Sequence, residues 1–171
     1  MKKTIILVSL LLSIQAAEPT KIKQESTESI NVDNKFSPIM EYCNSRFEFC
    51  INYDKDFGIE PASKNGDGRV FYDSDGYKMY VFGTYNTLDE SLHKEIKFRS
   101  ENVDVTYKKT TQKWAIVSGY ENDKIRYIKI FKVGNVFKVL DIEYPLELKE
   151  KYNVLVQKIV KSFRPNTKNN Y

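Results

Sequence analysis

Apolar residues recur at every second position through much of this chain. Phe47, Phe49, Ile51 and Tyr53 lie two apart, with Glu48 and Asn52 between them, which predicts a strand. Residues 69–72 and 77–85 predict two more, joined by Asp73-Ser74-Asp75-Gly76, a hairpin turn in which Gly76 can take positive φ. Four further strands are expected over 103–108, 113–120, 124–133 and 136–144, the last two joined at Gly134-Asn135. The period changes twice. Thr87-Leu88-Asp89-Glu90 matches a capping box, followed by a helical stripe of Leu88, Leu92, Ile96 and Arg99 with His93, Lys94 and Lys97 outside it. Leu148, Tyr152, Leu155, Ile159 and Phe163 form the stripe of a terminal helix, opened by Pro145 and stopped by Pro165.

Several of these strands are apolar on both faces. Tyr77, Met79 and Val81 alternate with Tyr80 and Phe82, and Val136 and Leu140 alternate with Phe137 and Val139. A sheet with one wet face has no use for that pattern, so helices or loops must cover part of each face. The expected fold class is α+β, a central, largely antiparallel sheet flanked by helices.

The ends of the chain read differently. Residues 1–17 form a leader: Lys2 and Lys3, an apolar run from Ile5 to Leu12, then Ala16 and Ala17 before Glu18 and Pro19. The run is too short for a membrane span. Residues 18–41 are polar and aperiodic and are expected to be a flexible arm. A single domain is expected over 42–164, with a polar tail over 165–171.

The leader changes the meaning of the two cysteines. Cys43 and Cys50 are expected to reach an oxidising compartment and to pair. On one continuous strand they would be about 23 Å apart, beyond bonding reach, but Asn44-Ser45 is a turn-forming pair that can fold Cys43 back beside Cys50. The absence of any Asn-x-Ser/Thr acceptor leans the expected location towards a bacterial periplasm or secretion. Without Lys2 and Lys3 the formal charge falls from +4 to +2, with both signs interspersed, which gives no nucleic-acid footprint.

The order of motifs resembles a known group. Asn44-Ser45-Arg46-Phe47-Glu48-Phe49-Cys50 leads into a strand, followed by Asn65-Gly66-Asp67-Gly68-Arg69 and Asp75-Gly76. Trp114, Val117-Ser118-Gly119-Tyr120, Tyr144-Pro145 and a helix ending Ser162-Phe163 follow. Over about residues 42–164 this resembles the small secreted bacterial proteins of the PsbP-like, or Mog-like, α/β/α sandwich group. The resemblance implies an antiparallel sheet flanked by helices and no catalysis. Relatives of that fold dock onto partner proteins, among them photosystem subunits, small GTPases and secretion-system components.

Candidate chemistry is sparse. His93, the single histidine, falls on a polar helical face without the neighbours a nucleophilic triad needs. The Cys43–Cys50 spacing is not the C-x-x-C of redox pairs. Asp54, Asp56, Asp67, Asp73 and Asp75 are the residues tight turns use, and no EF-hand register is present. No cofactor or metal is expected. Twenty-three acidic residues leave a hydrolase carboxylate pair open on paper. Tyr107, Tyr120 and Tyr127 interleave with basic residues including Lys129 and Lys132, and these five are the candidate partner-binding residues. The expected function is a monomeric, non-catalytic protein-binding module of accessory, escort or immunity type. The alternative is a carrier of a small apolar or lipid-like ligand, with a small hydrolase behind it.

Overall fold

The computed structural model describes residues 38–166. The leader, residues 18–37 of the expected arm and residues 167–171 lie outside the described residues. In chain order the elements are β1 (Ile39–Asn44), β2 (Phe49–Asp54), β3 (Gly58–Ile59), β4 (Gly68–Tyr72), β5 (Lys78–Tyr85), α1 (Leu92–Arg99), β6 (Asp104–Thr110), β7 (Trp114–Glu121), β8 (Lys124–Val133), β9 (Val136–Pro145), α2 (Lys149–Ser162) and β10 (Arg164–Pro165). A 3₁₀ turn at Leu146–Leu148 leads into α2.

The alternating stretches become a seven-stranded sheet ordered β3-β4-β5-β9-β8-β7-β6, antiparallel throughout. β6 to β9 form a meander, each strand paired with its sequence neighbour, as short turns at Gly134-Asn135 and Asn122-Asp123 dictate. A three-stranded sheet, β1-β2-β10, is separate.

Part of each face of the large sheet is covered, as the two-sided apolar pattern requires. On one face α2 and β2 lie over Phe71, Met79, Leu140 and Ile142, with Phe49, Ile51, Tyr152, Leu155 and Ile159 filling the interface. On the other, α1 brings Leu92 and Ile96 onto Val117, Ile128, Ile130 and Val139. Each such large apolar side chain contributes on the order of 1.5–3 kcal/mol by leaving water. The α+β fold class is therefore the one observed.

Several local expectations are corrected. Residues 39–41, placed in the expected arm, pair along β2 and so belong to the domain. β2 starts at Phe49, since Glu48 has φ 50° and Phe47 lies in the turn before it. α1 is not capped by Thr87. The Asn86 side chain instead accepts from the Glu90 amide (2.8 Å) and donates to the Glu90 carbonyl (3.0 Å), holding a loop in which Asp89 has φ 48°. Ser91 then caps the helix, accepting from the Lys94 amide at 3.2 Å, and Leu88 is 79% exposed rather than part of the stripe. Pro145 ends β9, and α2 starts at Lys149. Pro165 does stand beyond the helix end, but with Arg164 it pairs on Phe49 and Cys50 and so belongs to the domain.

Candidate functional site

The turn between β1 and β2 is tied down by several side chains and by the disulfide beside it. Asn44, buried, accepts from the Phe47 amide (2.8 Å) and donates to the Gly66 carbonyl (2.9 Å) and the Tyr42 hydroxyl (3.2 Å). Arg46 donates to the Asp67 carboxylate (2.8 Å) and the Asn65 carbonyl, and its guanidinium lies over the Phe47 ring at 5.0 Å. The Gly83 amide bonds the Asp67 carbonyl, and Gly83 leaves the space the Phe47 ring occupies, since a Cβ there would sit 2.0 Å from its Cγ. The turn motifs at 44–47 and 65–68 are thus halves of one interlock. Cys43 and Cys50 face each other across β1 and β2, Cα atoms 4.1 Å apart, and are joined as a disulfide. Glu41 lies beside the two sulfurs, but with both thiols spent on the bond this group has no thiolate for a metal.

The five candidate docking residues do not share one surface. Register on β7 and β8 puts Tyr107, Tyr120, Tyr127 and Lys129 on the α2 side of the sheet and Lys132 on the α1 side. Lys132 donates to the Glu90 carbonyl at 2.9 Å and sits 3.7 Å from Asp89, so it braces the loop before α1. Lys129 reaches under the end of α2, donating to the carbonyls of Val160 (2.8 Å) and Phe163 (3.4 Å), with the Phe131 ring 4.9 Å away. Burial lowers its amine pKa. Alternation in the sequence suggested a solvated lysine; the long stem instead caps the helix C-terminus, where a cation is favoured.

The three tyrosines do lie together. α2 covers β2 and β9 but stops short of β6 and β7, leaving Tyr107, Trp114, Ile116, Tyr120 and Tyr127 on the outer part of that face. Tyr107 is 51% exposed and the others are half-buried. Burial, with Tyr107 alongside, pushes the Tyr127 phenol up to about 12. Lys109 adds an amine 5.5 Å from the Trp114 ring. The sequence leaves Trp114 between core residue and interface anchor and does not mark Ile116 at all, because alternation alone cannot tell where a helix stops covering a face.

On the opposite face an open cleft of about 450 Å³ lies beside α1, lined by Tyr80, Phe82 and charged residues. Arg126 holds Asp141 through two bonds (3.0 and 2.7 Å) and also bonds Glu121, while Lys124 holds Glu143 at 3.0 Å. The carboxylates of Glu121, Asp141 and Glu143 are thus committed to cations, and charged side chains make up most of the lining. Asp73 closes its turn by accepting from the amides of Asp75 (2.9 Å) and Tyr77 (3.0 Å), and Tyr152 donates to its other oxygen. That is turn chemistry, as the spacing suggested. His93 is exposed on α1.

This arrangement defines a PsbP-like fold. The solution structure of cyanobacterial PsbP (CyanoP) from Synechocystis sp. PCC 6803 superposes with a TM-score of 0.55 at 11% identity, over 78% of this chain and 95% of that one. A crystal structure from Bacteroides thetaiotaomicron VPI-5482 aligns at 13% identity over 79% of this chain and 50% of that one, with a TM-score of 0.48. No protein-family model matches the chain, and no curated protein matches it. Among the described residues no helix is long and apolar enough to cross a membrane.

Proposed function

We propose that this protein is a non-catalytic docking module of an oxidising compartment, which engages a partner protein through the outer part of the α2-side face, on β6 and β7 and at Tyr127 of β8. The observation that carries the reading is the set Tyr107, Trp114, Ile116, Tyr120 and Tyr127, aromatic and apolar side chains along one strip, Tyr107 exposed and the rest half-buried. Buried or half-buried Tyr and Trp are the usual anchors of protein interfaces, because they bring large area at low entropic cost. The disulfide supports the compartment, since such bonds persist outside the reducing cytosol. The leader read over residues 1–17 supports it further.

The test is capture from an envelope extract on immobilised protein. A partner retained by the unaltered protein should be lost with Tyr120→Ser, which removes a ring of the strip from β7, the middle of its three strands. It should stay with Lys132→Glu, on the opposite face. Equal retention by all three proteins would rule the strip out.

A further inference from the structure

We propose that β6 is a self-pairing edge, through which two copies of this chain join their large sheets into one. The two ends of that sheet are not alike. One ends in β3, two residues long and followed directly by Glu60-Pro61, a strand too short to template another. The other ends in β6, seven residues with every one exposed, including Val105 (43%) and Tyr107 (51%). An uncovered strand of that length presents a row of backbone donors and acceptors to any chain that matches it.

The charges on β6 say which chain matches. Asp104 stands at its start and Lys108 and Lys109 near its end. Among the described residues neither Asp104 nor Lys109 has an ion-pair partner within its own chain. In a regular strand residues five apart point to opposite faces. Here a one-residue bulge between Val105 and Tyr107 resets the alternation. Asp104 lies across from Tyr120 and Lys109 across from Ile116, so both project on the α2 side. Val105 and Lys108, opposite Gly119 and Val117, both project on the α1 side.

A strand with an acid at one end and a base at the other, on one face, complements its own antiparallel copy. Pairing about a two-fold axis between Thr106 and Tyr107 sets Asp104 of each copy against Lys109 of the other, and Val105 against the stem of Lys108. Every opposed pair outside the bulge then shares a face. A register centred on Lys108 would set lysine against lysine. A register pairing Asp104 with Lys108 would set residues of opposite faces together. Edge lysines ordinarily keep strands from pairing, and here each Lys109 is answered by an acid.

Sedimentation equilibrium of the whole protein over a dilution series at low salt tests this. A concentration-dependent dimer is expected, weakening as salt rises. Asp104→Lys alone and Lys109→Asp alone should each weaken it by about tenfold, since each places like charges against each other at two points in the dimer. The double variant carrying both changes restores the pairs in reverse and should recover the dimer. Circular dichroism checks that each variant is folded, and the salt titration of the unaltered protein provides a second readout. A protein that stays monomeric at every concentration, a dimer indifferent to salt, or a double variant no better than the singles would each overturn the proposal. A monomer would leave the docking strip untouched, because Tyr120 lies one strand in from this edge.

Discussion

The large sheet has one end that is locked and one that is bare. At the β4–β5 end, the β1–β2 hairpin lies on top, bolted by a disulfide, by Asn44 and Arg46, and by the fit of Phe47 against Gly83. Phe49 and Phe71 there are fully buried, each beside the Tyr42 ring. At the β6 end all seven strand residues are exposed, and the nearest large side chains are only half-covered. The same antiparallel ladder runs through both. What differs is whether a second layer is laid over it. Stability and recognition are therefore assigned to different ends of one sheet, and substitutions should separate them.

The largest expected effect is at the locked end. Phe49→Ala removes a fully buried ring that packs edge-on against Phe163 and Tyr42, and should cost roughly 3–5 kcal/mol in urea denaturation. A cost no larger than at the β6 end would erase the distinction. Replacing Cys43 and Cys50 together by Ser opens a short loop and should cost about 2–3 kcal/mol, read as a lower melting temperature. Partner capture should survive it, because the strip lies elsewhere.

A smaller change of opposite sign is expected within the same core. The Tyr77 hydroxyl is buried without a hydrogen-bond partner, among the rings of Phe57, Tyr144 and Tyr152. Burial raises its pKa well above the ordinary tyrosine value. Tyr77→Phe removes an uncompensated polar group, so the denaturation midpoint should rise, by about 1 kcal/mol in stability. A fall would show that the hydroxyl is bonded to an ordered water. The smallest effect on stability belongs to the bare end. Tyr107→Ser should shift the midpoint by less than about 0.5 kcal/mol while weakening partner capture. Loss of stability with capture unchanged would reverse the roles of the two ends.

The sequence announced the locked end less clearly than the meander. β6 to β9 were legible because alternation continues through four strands with turn residues between them, and the stripe of α2 because Tyr152, Leu155 and Ile159 recur at helical spacing. β1 was not legible. Ile39, Met40 and Glu41 are all exposed, so no amphipathic pattern marks them, and what holds them is pairing with β2. The start of α1 was misread for a related reason. Thr87 and Glu90 fit a cap on paper, yet the Asn86 side chain binds both backbone groups of Glu90 and delays the helix to Ser91. Lys129 and Lys132 looked like surface charges because sequence shows the position of an amine's backbone and not the reach of its stem. Only the three tyrosines of the candidate site could be placed together from alternation, and only the position of α2 decides how far each is covered.

β2 is bonded on one edge by β1 and on the other by β10, two segments from opposite ends of the described chain. The Glu48 carbonyl repeats the arrangement, accepting from Lys138 and from the Asn166 amide, each at 2.7 Å. A chain leaving the ribosome N-terminus first can form the β1–β2 hairpin early. Its second edge stays open until Arg164 and Pro165 have been made, on the order of ten seconds later at ordinary synthesis rates. The second edge of β2 is therefore the last to find its partner, and a chain cut short before residue 164 would lack the strand that bonds it.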